Sequence, residues 1–141
     1  MRQRVGFTLI EIVVVVMIIG ILVAIAAPRM LNVMGDATDN SVRQSLDVVR
    51  GAIEEYATQN GGAYPTDQNA VQFKNALKPY LRGPFPSSPV GGNPPDKVTM
   101  SAADPLVANN TGGWTYNGTT GEFIINCTDV SEDGSTTYDQ F

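Results

Sequence analysis

The sequence predicts an α+β protein, a long N-terminal helix packed against a small antiparallel β-sheet with long loops. Three observations predict it. An apolar run reaches from Phe7 to Ala27, a second stretch repeats apolar residues at helical spacing up to Tyr56, and two short alternating segments near the C-terminus flank a hairpin signal. At 141 residues the chain suits one small domain on a helical stalk.

The apolar run is interrupted by one carboxylate, Glu11; from Ile12 to Ala27 there is no charge. The 21 residues from Phe7 to Ala27 are enough to cross a hydrocarbon core of roughly 30 Å at about 1.5 Å per residue. An ionised group costs about 2.5–3.5 kcal/mol at mid-membrane and less near the edge, so a chain that keeps Glu11 there points to a partner for it. Arg2 and Arg4 precede the run, and positive charge beside a span favours the cytoplasmic side. A secretory signal peptide, with Ala24, Ala26 and Ala27 as a cleavage site, and a plain membrane anchor both explain an apolar run. Neither explains a glycine directly before Phe-Thr-Leu-Ile-Glu.

The hexapeptide Gly6-Phe7-Thr8-Leu9-Ile10-Glu11 resembles the leader junction of type IV pilins and of the type II secretion pseudopilins, most of all the major, G-type pseudopilin. The resemblance covers Met1 to about Asn60. It implies a pilin-like fold, cleavage by a prepilin peptidase between Gly6 and Phe7, and methylation of the new N-terminus at Phe7. Glu11 takes the fifth mature position and Pro28 the twenty-second, where pilins usually carry a proline. The implied organisation is a cleaved leader at 1–6, a transmembrane and polymerisation helix at 7–28, an amphipathic stalk at 29–62 and a loop-rich globular domain at 63–141. The implied partners are other copies of the chain in a homopolymer, the prepilin peptidase, an inner-membrane assembly platform, minor pseudopilins and the membrane itself. The implied location is the inner membrane, single-pass, with the C-terminal domain periplasmic or extracellular.

Beyond Pro28 apolar residues recur at Val42, Leu46, Val49, Ile53 and Tyr56, a helical stripe with Asp47, Arg50, Glu54 and Glu55 between, and Gly61-Gly62 stops it. From Phe7 to Asn60 the helix approaches ~80 Å. Gly20 and Pro28 are its weak points, costing about 1 and 3 kcal/mol relative to alanine in a helix interior. The pilin resemblance adds that the stretch between them can unravel on packing into a filament. Val71 to Leu81 reads as a short helix with Val71, Leu77 and Leu81 inward, and Gly83 to Pro95 as irregular. Strands are expected at Gly113–Asn117 and Gly121–Cys127, joined by Asn117-Gly118-Thr119-Thr120-Gly121, with a weaker one at Lys97–Met100.

Composition excludes several functions. Residues 29–141 carry seven Lys/Arg against thirteen Asp/Glu, a net of −6, which argues against nucleic-acid binding. The chain has no histidine and no nucleophile–base pair, which argues against an enzyme. Cys127 stands alone, so the C-terminal disulfide of many type IV pilins cannot form within the chain, and this shifts weight towards the pseudopilins. Cys127 itself reads as a small buried residue, and Trp114, Tyr116 and Phe123 read as core. The tail carries Asp129, Glu132, Asp133 and Asp139. Four carboxylates in eleven residues are suitable ligands for calcium, without the spacing of an EF-hand, and equally make a solvated acidic tail. The pseudopilin resemblance implies a calcium loop there. The resulting expectation is a subunit of a secretion pseudopilus that helps drive export of folded proteins. The alternatives are a surface pilin for adhesion, motility or DNA uptake, and a membrane-anchored binding module.

Overall fold

The computed structural model describes residues 8–65 and 69–141, so Gly6, Phe7 and Asp67 lie outside the described residues. Helix α1 runs Leu9–Gln59, then α2 covers Ala70–Leu77, and strands β1, β2 and β3 cover Val98–Met100, Trp114–Tyr116 and Phe123–Ile125. Two compact units result, residues 1–35 and 36–141, with α1 contributing to both.

In the first unit α1 contains a membrane-length apolar stretch, Leu9–Ala27, none of it buried within the chain. Valine and isoleucine are mediocre helix formers in water, but in lipid every backbone N–H and C=O must be satisfied internally, which imposes the helix. Gly20 and Pro28 both fall inside α1, which is continuous past them.

In the second unit the α1 stripe is buried as its spacing predicts, with Val42, Leu46, Val49 and Ile53 at most 2% exposed. The helix ends on a glycine motif: Gly61 takes φ +67° and the Gly62 N–H donates to the Ala57 carbonyl at 2.8 Å. Helix α2 is capped by Asn69, whose side-chain oxygen accepts the Gln72 N–H at 2.9 Å. It is shorter than the expected 71–81 and continues as a 3-10 turn over Lys78–Tyr80. Its inward face also differs from the expected one. Val71 is exposed and Leu81 half-buried, whereas Phe73 and Leu77 are fully buried. The larger ring decides the helix rotation, because Phe73 packs against Tyr116 at 4.1 Å between centroids, with the rings tilted, and stacks on Phe123 at 6.1 Å.

The sheet has the order β1-β2-β3 and is mixed, not purely antiparallel. β2 and β3 form the expected hairpin, Trp114 opposite Ile125 and Tyr116 opposite Phe123. β1 pairs with β2 in parallel, Val98 opposite Trp114. A parallel neighbour needs a crossover, and residues 101–113 supply it as a long loop. That loop is tied down by Asn126, fully buried, whose side-chain oxygen accepts the Asn109 and Asn110 N–H groups at 2.6 and 3.2 Å. The Leu106 N–H donates to the Glu122 carboxylate at 3.0 Å. Both faces of β3 are therefore covered: Phe123 and Ile125 join the core with α1, while Ile124 and Asn126 are buried as well. Arg50 of α1 donates from Nε to the Phe123 carbonyl at 3.0 Å.

The α2 correction gives a paired prediction. Phe73→Ala should cost about 3–5 kcal/mol of unfolding free energy and Val71→Ala less than about 0.5 kcal/mol, measured by denaturant unfolding of the full chain in detergent. Equal costs would contradict the observed rotation of α2.

Candidate functional site

Two regions carry the candidate site residues. At the start of α1, Thr8 precedes the first helical residue, and its hydroxyl oxygen accepts the Glu11 N–H at 3.3 Å while its carbonyl accepts the Glu11 and Ile12 N–H groups. Thr8-Leu9-Ile10-Glu11 has the Ser/Thr-x-x-Glu spacing of a helix-capping box. This was legible in the sequence and adds a local reason for the threonine. Glu11 lies in the first turn, where a negative charge complements the helix dipole, and its side chain is exposed. The expected cleavage and methylation residues, Gly6 and Phe7, lie outside the described residues.

Around Glu11 the apolar surface is continuous. Fourteen large apolar side chains between Leu9 and Ile25 are about half or more exposed, from Val14 at 46% to Leu9 at 82%. At about 1.5 kcal/mol each, burying them elsewhere is worth roughly 20 kcal/mol. That exceeds the ~3 kcal/mol penalty for one embedded carboxylate several times over.

The second region is the C-terminal acidic segment. It is not a loose tail. Val130 bridges Thr137, the Tyr138 N–H donates to the Asp129 carbonyl at 3.0 Å, and Tyr138 is buried in a 3-10 turn over Tyr138–Gln140. The side chain that holds it comes from α1 and was missed in the sequence. Asp39 is 4% exposed; its Oδ1 accepts the Tyr138 hydroxyl at 2.7 Å and the Glu132 N–H at 3.2 Å, and its Oδ2 accepts the Asp133 N–H at 3.1 Å. The signal was present: Asp39 sits three residues before Val42 and continues the 42-46-49-53 stripe, so it faces inward. Burial and the Asp39 contact raise the Tyr138 hydroxyl above its ordinary range.

The four carboxylates assigned to calcium by resemblance have other surroundings. Asp133 Oδ1 accepts the Ser135 N–H at 2.8 Å and the Ser131 and Ser135 hydroxyls, both at 2.6 Å. Glu132 and Asp129 are exposed. Asp139 donates its N–H to the Cys127 carbonyl at 3.1 Å, and its Oδ1 is buried without a hydrogen-bond partner. Calcium needs six to eight oxygens around one point. Among the described residues no three Asp, Glu or Cys side chains converge in that way, so these carboxylates alone do not supply the ion's shell. Cys127 is buried and free; burial raises its thiol above the ordinary value, with the Asp129 and Asp139 carboxylates adding to the shift, so it is a poor nucleophile.

Residues 1–27 match the family model described as the prokaryotic N-terminal methylation motif. The chain is 37% identical over 71 residues to the type II secretion system core protein G of Pseudomonas aeruginosa, covering 50% of this chain and 49% of that protein. It is 32% identical over 72 residues to the core protein G of Vibrio cholerae, 51% and 49% of the two chains. It is 43% identical over 68 residues to the type IV narrow pilus major component PilA5 of Thermus thermophilus, 48% and 58%. The chain thus spans about half the length of the curated relatives it matches. No solved structure matches it.

The serine contacts give a pH prediction. Hydrogen bonds from Ser131 and Ser135 lower the Asp133 carboxyl from 3.8 to about 2. A depressed folded-state value stabilises the loop at every pH above the unfolded value, and the gain disappears as pH falls through the folded value. An NMR titration of the Ser135 amide should show a midpoint near 2; a midpoint near 3.8 would remove the assigned role of the serines.

Proposed function

We propose that this chain, type IV pilin-like in its N-terminal motif and its relatives, is a structural subunit of a type II secretion pseudopilus. The observation that carries the proposal is the Leu9–Ala27 helix, apolar but for Glu11 and unburied within its own chain, directly behind a Gly6-Phe7 junction. A helix of this kind is soluble in lipid, or in a bundle of identical helices, and nowhere else. The two environments define two states. The subunit is stored in the inner membrane as a single-pass protein, and it polymerises through this helix. Similarity to core protein G from two bacteria supports the secretion reading.

The chemistry of assembly falls to Glu11 and Phe7. Cleavage after Gly6 by a prepilin peptidase releases a cationic α-amine on Phe7, and glycine at the cut allows the close backbone approach that a peptidase needs. Glu11 is four residues further on, one helical turn, so a pair within one chain is within reach. In the filament the amine of a neighbouring subunit pairs with Glu11 and sets the axial step. The chain is a building unit and not an enzyme. It has no histidine, and its one thiol is buried.

A surface pilin is the second reading, favoured by the 43% identity to the Thermus pilus component. Both readings use the same helix and the same Glu11, and they separate at the phenotype.

Three outcomes test the proposal. Gly6→Val should leave the precursor uncut on an immunoblot; a product of mature length would refute the assigned junction. Glu11→Val should insert and be processed normally yet lose filament formation, since removing one member of a buried pair typically costs 3–5 kcal/mol; normal filaments from that variant would sink the pairing. Deletion in the native host should abolish export of secreted enzymes and leave surface fibres intact, and the converse pattern would establish the pilin reading.

A further inference from the structure

We infer that the C-terminal acidic segment is closed onto α1 by the Asp39 carboxylate without a divalent cation. Three observations lead there. Asp39 is 4% exposed, and an inward carboxylate needs strong donors to be tolerated. It has three: the Glu132 and Asp133 N–H groups and the Tyr138 hydroxyl, at 3.2, 3.1 and 2.7 Å. Two come from consecutive backbone amides, an arrangement that wraps the loop around an anion and not around a cation.

The second observation concerns the loop's own charge. Asp133 turns its Oδ1 back onto Ser131 and Ser135, so that oxygen is already engaged with neutral donors. Ser131 is buried and its hydroxyl oxygen also lies 2.8 Å from the Thr136 carbonyl, which closes the turn locally. The third is the location of Asp39 on the buried stripe of α1, three residues from fully buried Val42. The anion is thus carried by the helix, and the donors are carried by the loop. This division is the reverse of a calcium loop, where carboxylates on the loop surround a cation. The inference does not depend on whether the chain builds a pseudopilus or a pilus.

The test is amide hydrogen exchange on the full chain in detergent micelles, with EDTA or with millimolar calcium, for the wild type, Asp39→Asn and Tyr138→Phe. Wild-type exchange at Glu132 and Asp133 should be the same with EDTA and with calcium. Asp39→Asn should speed exchange at those amides roughly 10- to 100-fold, the equivalent of one to two lost charge-assisted hydrogen bonds. Calcium should not restore it, and the amides of β2 and β3 should stay protected. Tyr138→Phe, which removes one donor and leaves both amide contacts, should give a smaller acceleration in the same loop. Faster wild-type exchange with EDTA, or slower exchange with calcium, would overturn the inference. So would unchanged loop exchange in Asp39→Asn, or acceleration spread equally over β2 and β3. If Asp39→Asn does not fold, the wild-type comparison and Tyr138→Phe decide the matter alone.

Discussion

Everything in this chain follows from a helix that cannot bury its own N-terminal half. Fourteen large apolar side chains between Leu9 and Ile25 are open to the surroundings, a deficit of roughly 20 kcal/mol against their burial. A small domain is stable by only about 5–15 kcal/mol, so no rearrangement within residues 36–141 could make up such a sum. The helix must therefore be completed by lipid or by other helices. The same constraint explains why Glu11 is tolerated: its penalty is small beside the gain from the residues around it.

The second unit solves the opposite problem. Here the stripe from Asp39 to Ile53 finds partners within the chain, and α2, the three-stranded sheet and the C-terminal segment all close on α1. The core is aromatic, with Phe73, Tyr116, Phe123 and Trp114 in successive ring contacts. Most of the remaining chain is loop, and buried polar side chains stand where regular structure would otherwise satisfy the backbone. Asn126 orders the 109–110 turn, Asn117 the hairpin and Asp39 the acidic segment. Asn117 accepts the Thr119 N–H at 2.8 Å, and Gly121, at φ +76°, lies so close to the Tyr64 ring that a Cβ would collide with it.

What the sequence made legible divides along physical lines. Periodicity located α1 and its buried face, because a 3–4 spacing of apolar residues over fifteen positions has few other readings. The double glycine marked the helix end, and the Asn-Gly signal marked the β2–β3 hairpin. Periodicity failed on α2, where eight residues are too few to choose between a face led by Val71 and one led by Phe73. It also failed to show that β1 runs parallel to β2, since the direction of a third strand depends on the path of residues 101–113. Asp39 escaped notice because a charged residue on a stripe is ordinarily taken as its edge. Its three donors lie more than ninety residues away in the chain.

The most direct measurement is the mass of the N-terminal peptide of the mature protein, isolated from membranes of its native host. A peptide that begins at Phe7 and carries one added methyl group is the predicted result. A peptide that begins at Met1, or after Ala27, would contradict the account, because the apolar helix would then be a plain anchor or a removed signal.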